Sequence, residues 1–153
     1  MKNAKQRKGK SKVWIALLVV LVVIVGGMGV AMLVFEPGRR EALNQTISEV
    51  DFKDLHDGVY TGEYKGTKDS LRNVKVQVTV SSGAVSEIKV IGGALANEKQ
   101  TAEVRKGQSI NDLLDRVIKS QSLQVDVISG ATISSRVHLK AVENALEQAS
   151  EAK

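Results

Sequence analysis

The chain has 153 residues, with 22 Lys+Arg against 17 Asp+Glu and no cysteine. That length allows one ordinary domain plus accessory segments, and the missing thiols exclude disulfides, Cys-ligated metal or iron–sulfur sites and a thiol nucleophile. The net charge of +5 is concentrated in Lys2, Lys5, Arg7, Lys8, Lys10 and Lys12, leaving 16 basic against 17 acidic residues beyond them, so no nucleic-acid-binding stripe is expected.

Residues 1–12 therefore read as a basic cytoplasmic tail. Val13 to Phe35 follows as an uncharged run of 23 residues rich in Val, Leu, Ile, Gly and Ala. As a helix it spans somewhat more than about 30 Å, enough for a bilayer's hydrocarbon core. Gly26, Gly27, Gly29 and the β-branched residues disfavour a helix in water but are tolerated in lipid, where unpaired backbone groups are costlier. Trp14 suits the interfacial boundary. A cleaved signal peptide and a retained anchor both fit, and the length of the run favours the anchor. Positive charge before the span, against Arg39 and Arg40 balanced by Glu36 and Glu41 after it, predicts a single-pass protein of a bacterial cytoplasmic membrane with its C-terminal domain outside.

Pro37-Gly38 is expected to break the span, and residues 36–56 to form a juxtamembrane linker, helix or tether. The domain proper, 57–153, opens at the turn signal Asp57-Gly58, ahead of a strand from Val59 to Tyr64. Val74 to Val80 alternates strictly, placing Val74, Val76, Val78 and Val80 on a core face. Ser81-Ser-Gly-Ala84 is a turn, and Val85 to Ile91 the returning strand of a hairpin with Ile88 and Val90 inward. Gly92-Gly93 closes it. Ser109 with Asp112 predicts a capped helix whose stripe is Ile110, Leu113, Leu114, Val117 and Ile118. Val125 to Ile128 reads as a short buried strand, and a last helix from about Ser134 to Ala149 buries Leu139, Val142, Leu146 and Ala149. The fold class is α+β: a small antiparallel sheet packed with helices, preceded by one N-terminal transmembrane helix.

His56 and His138 are too distant in sequence for a local metal motif, and each is expected to be a lone exposed imidazole. No nucleophile–base pair or Gly-rich nucleotide motif points to a catalytic centre. The informative segment is Asp126-Val-Ile-Ser-Gly-Ala-Thr132. Small residues lead into a helix start, where unpaired N–H groups and the positive dipole end favour a phosphate. Thr132, Ser134 or Ser135 as a plain helix cap explains the same local cluster.

The longer pattern, Asp126-x-x-Ser129-Gly130-Ala131-Thr132-x-Ser134, resembles the flavinylation motif of the FMN-binding domain family. That family includes the G subunit of the Rnf electron-transport complex and the C subunit of the sodium-translocating NADH:quinone oxidoreductase. Asp57 to Glu63, the Val74–Val90 hairpin and Asp115 to Ser122 are similar to the family's opening strand, hairpin and pre-motif helix. The resemblance covers roughly Asp57 to Leu146. It implies that a flavin transferase, using FAD and a divalent cation, esterifies FMN phosphate to Thr132, with Asp126, Ser129, Gly130 and Ala131 as the other motif positions. It further implies an extracytoplasmic electron carrier, rather than a stand-alone enzyme, exchanging electrons with membrane redox proteins or a quinone. An unmodified interaction or sensor module, and a noncovalent flavin-binding accessory domain, are the alternatives. Many relatives carry a His- or Glu-Thr-containing loop after the hairpin. Here Gly92 to Thr101 separates Glu98 from Thr101, so no ring-contacting role transfers to either.

Overall fold

The computed structural model describes residues 7–152, so residues 1–6 of the basic tail lie outside it. Helix α1 spans Arg7–Leu43, and Val13 to Phe35 is exposed except at half-buried Ala31. The segment Lys12–Leu43, whose apolar 18-residue stretch has a mean hydropathy of 3.0, is long and apolar enough to cross a membrane.

The chain divides after Pro37 into two compact units, Met1–Pro37 and Gly38–Lys153. Pro37 was expected to end the helix, yet α1 continues through it to Leu43. Proline removes one helical hydrogen bond, and the turn after it belongs to the second unit. Ala42 is fully buried, and the Glu41 carboxylate accepts from the Thr67 amide at 2.9 Å and the Lys68 amide at 3.0 Å. Those amides hold the Glu41 carboxyl below its ordinary range. Arg136 donates to the Leu43 carbonyl, so a guanidinium caps the end of α1. The segment after it, 44–57, has no regular helix, and Leu55 joins the core. The stretch expected as a linker is thus partly built into the domain.

Three antiparallel strands form the sheet in the order β1 (Gly58–Tyr64), β2 (Val74–Ser81), β3 (Ala84–Gly92). Gly58 pairs with Val80 and Tyr64 with Val74, while Val76 faces Val90 and Val78 faces Ile88. The predicted alternation holds: Val74, Val76, Val78 and Val80 are buried, as are Val85, Ile88 and Val90. Ser82 and Gly83 both take positive φ, as a two-residue hairpin turn requires. The Asp57 carboxylate accepts from both turn amides, which lowers its pKa.

A 3₁₀ turn (Asn97–Thr101) and a small hairpin, β4 (Glu103–Arg105) with β5 (Gln108–Ser109), lead into α2 (Ile110–Ser120). Ser109 caps α2 as predicted, its amide donating to the Asp112 carboxylate at 2.6 Å and its hydroxyl accepting from the Asp112 amide. Helix α3 (Thr132–Glu151) crosses β1 and β2. It approaches so closely that a Cβ on Gly62 would lie 2.0 Å from the Ala141 carbonyl oxygen, a contact only glycine permits. Amide side chains close both sheet edges. Asn144 and Gln148 donate to the Glu63 and Thr61 carbonyls of β1, and Gln121 exchanges two 2.9 Å bonds with Val85 of β3. The core between sheet and helices is Val, Ile and Leu, with each fully buried side chain contributing about 1.5–3 kcal/mol.

Two expectations fail. Val125 to Ile128 is not a strand: only Val125 and Ile128 turn inward, and no strand pairs with the segment. Side chains replace the ladder, since Arg116 donates to the Asp126 carbonyl at 2.8 Å and the Ile128 amide to the Ser135 hydroxyl at 3.1 Å. His138, expected at the surface, is 3% exposed. Its Nδ1 lies 2.6 Å from the Ser134 carbonyl of its own helix, and its Nε2 is buried without a partner. Burial pushes this imidazole below its ordinary pKa, with the Ser134 carbonyl opposing.

Candidate functional site

The motif occupies the connection between α2 and α3. Asp126, Ser129 and Gly130 are exposed, and Ala131 and Thr132 half-buried. Backbone folding here follows from local chemistry. Gly130 sits at φ +81°, a left-handed conformation that costs a residue with a Cβ. The Ala131 amide donates back to the Ile128 carbonyl at 2.9 Å, closing the turn. Ser135 is fully buried and locks the loop from below, because its hydroxyl accepts from the Ile128 amide and donates to the Ala131 carbonyl at 3.0 Å.

Helix α3 begins at Thr132 itself, two residues earlier than the sequence suggests. The residue before it is Ala131, which has no side chain with which to cap. The Thr132, Ile133 and Ser134 amides find no hydrogen-bond acceptor among the described residues, and the Thr132 hydroxyl finds no partner there either. Three unpaired donors and an unpaired hydroxyl thus lie in the half-buried first turn, at the positive end, of a 20-residue helix. Neither Ser134 nor Ser135 caps it. Ser135, with its hydroxyl doubly engaged and no exposed surface, is not open to modification.

Two cationic side chains that sequence reasoning missed flank the loop. Arg116 of α2 is spent on the Asp126 carbonyl. Arg105, at the end of β4, lies over the glycine: a Cβ on Gly130 would come within 2.9 Å of Arg105 Nε and 3.2 Å of its Cγ. The available signal was the pair Lys106-Gly107, a two-residue turn with φ of 51° and 72° that folds Arg105 back beside Gln108. On the other side of Asp126, a surface cleft of 680 Å³ is bordered by Arg116, Lys119 and Gln124. The Asp126 carboxylate makes no hydrogen bond or ion pair among the described residues.

The motif residues are therefore adjacent in space as in sequence, with the uncapped start of α3 at Thr132. Residues 71–147 match the family model of the FMN-binding domain, a span that contains α2, the whole loop and most of α3. A crystal structure of a Clostridium perfringens protein is 33% identical, covering 65% of this chain and 92% of its own, with a TM-score of 0.49. No curated protein matches the chain.

Proposed function

We propose that this chain, which belongs to the FMN-binding domain family, carries its FMN covalently on Thr132 and relays electrons at the outer face of a bacterial cytoplasmic membrane. The observation that carries this reading is the open start of α3: its first three amides and the Thr132 hydroxyl have no acceptor or partner of their own among the described residues. Those groups fit a phosphate ester. The amides stabilise its remaining negative charge, and the bare Gly130 and Ala131 leave the backbone accessible. Asp126 and Ser129 lie on the exposed rim of the loop, where a transferase can read them.

In the attachment step, Thr132 Oγ1 bonds to the phosphorus of the FMN half of FAD. The pyrophosphate bond breaks, AMP leaves, and the hydroxyl proton passes to a base of the flavin transferase; no electron changes hands. Bound flavin supplies one- and two-electron chemistry that no side chain of this chain provides. The chain's own residues keep it in place: Ser135 and Arg116 fix the loop, and the ester removes the route of loss by dissociation. The six basic residues before the apolar helix support an extracytoplasmic position, where such a tether is useful. Membrane redox proteins or a quinone are the donors and acceptors this placement favours.

The test is co-expression with a flavin transferase, followed by denaturation and in-gel fluorescence. Flavin must migrate with the wild-type polypeptide and vanish in a folded Thr132→Ala variant. Wild-type protein that carries no flavin after exposure to the transferase sinks the covalent reading.

A further inference from the structure

We propose that Arg105 is the side chain that receives the flavin phosphate at the motif loop, an inference that rests on Thr132 being the point of attachment. Three observations carry it.

The first is placement. Arg105 lies against Gly130, its Nε and Cγ occupying the space beside the glycine where any Cβ would project. Gly130 is thus needed twice, for its positive φ and for the arginine stem that lies on it.

The second is availability. The Arg105 side chain makes no hydrogen bond or ion pair among the described residues, although it is two residues from Glu103 on the same strand. The Glu103 Oε1 atom is taken by the Gly107 amide at 2.8 Å. Arg116 is placed differently, since one of its five N–H groups donates to the Asp126 carbonyl and ties that side chain to the entry of the loop. An arginine held over a loop without an anionic partner, beside three unpaired amides, lacks only the anion. Guanidinium and helix terminus would share the diester's single charge, and charge-assisted bonds of this kind are stronger than neutral ones.

The third is rigidity. On one side of Arg105 the chain turns through Lys106 and Gly107, whose positive φ values define a tight hairpin. On the other side of that turn, Gln108 and Ser109 run directly into the capping box of α2. The arginine is therefore delivered by a short braced hairpin, so little backbone freedom is lost on binding.

The test uses the full-length chain in detergent with transferase, FAD and a divalent cation. Wild type, Arg105→Gln, Arg105→Lys and the control Lys65→Gln, an exposed lysine beyond β1, are compared. Initial rates of covalent flavin incorporation are measured against NaCl concentration, with thermal unfolding of each apo protein and the ³¹P resonance of each loaded product. Arg105→Gln is expected to load at least about tenfold more slowly, with a flatter salt dependence, a displaced ³¹P resonance and an unchanged unfolding temperature. Arg105→Lys should fall between, because the ammonium keeps the charge but loses the planar fork. Lys65→Gln should behave as wild type.

Arg105→Gln loading at the wild-type rate with a wild-type ³¹P resonance overturns the proposal and leaves Thr132 as the attachment point. Slow loading to a product with the wild-type resonance also overturns it, because Arg105 then serves only the transferase encounter. If the wild-type chain takes no flavin at all, the covalent reading fails and this inference falls with it.

Discussion

Two helices of this domain begin in opposite ways. Helix α2 starts with every device for closing an N-terminus, since Ser109 and Asp112 satisfy each other's backbone amides and the Asp112 carboxyl is held below its ordinary pKa by those bonds. Helix α3 starts with alanine, and its first amides are left open. Propensity alone does not account for the contrast, because serine stands at 129 and threonine at 132, both able to cap if shifted by one or two places. The structure instead spends its buried hydroxyl, Ser135, on bracing the loop from beneath. A helix start that is rigid but uncapped is what an anion site needs: donors fixed in direction and not yet used.

That contrast can be broken by substitution. The largest effect is expected from Thr132→Ala, which should abolish covalent flavin while changing stability by less than about 0.5 kcal/mol; gel fluorescence and a denaturant titration read the two quantities separately. Ser135→Ala comes next. It leaves the buried Ile128 amide without an acceptor and should cost about 1–3 kcal/mol, with slower flavin loading because the loop loses its brace. A Ser135→Ala protein as stable as wild type removes the bracing argument.

The pH dependence of α3 is a third test. An unfolded histidine takes up a proton at its ordinary pKa of 6.5, whereas burial keeps His138 neutral to lower pH. Stability from this group is therefore fully present above pH 6.5 and is lost as pH falls, by up to about 1.4 kcal/mol per unit until the lowered folded pKa is reached. Thermal unfolding at pH 7.5 and 5.5 should show the loss, and His138→Gln should reduce it; an equal slope in both proteins contradicts the burial. The carboxyls of Asp57, Asp112 and Glu41 act in a different window. Their folded pKa values are lowered, so their contribution holds above the ordinary carboxylate range and disappears only in stronger acid.

The smallest effect sharpens the comparison from the other helix. Ser109→Ala should cost about 1 kcal/mol by uncapping α2, with flavin loading per folded molecule unchanged. Loading that falls with Ser109→Ala as steeply as with Ser135→Ala would mean that the two helix starts are not independent.

Local, periodic signals made much of this molecule legible in advance. Alternation in Val74 to Val80 reported one buried sheet face, the Ser109–Asp112 spacing reported a cap, and Asp126 to Thr132 marked the loop, because each depends on residues within a few positions of one another. Local pattern therefore encodes the apolar helix, the hairpin, the two domain helices and the place of the motif. Three other features depend on contacts between distant segments. The last turn of α1, beyond Pro37, is held from segments distant in sequence, since Thr67 and Lys68 donate to Glu41 and Arg136 to the Leu43 carbonyl. Val125 to Ile128 stays irregular because Arg116 and Ser135 supply the hydrogen bonds a neighbouring strand would have given. Arg105, 27 positions before Thr132 and carrying no motif, reaches the loop because a two-residue turn and close packing on Gly130 bring it there. Contacts of that kind have no period and no fixed spacing, so they become visible only when the chain is folded.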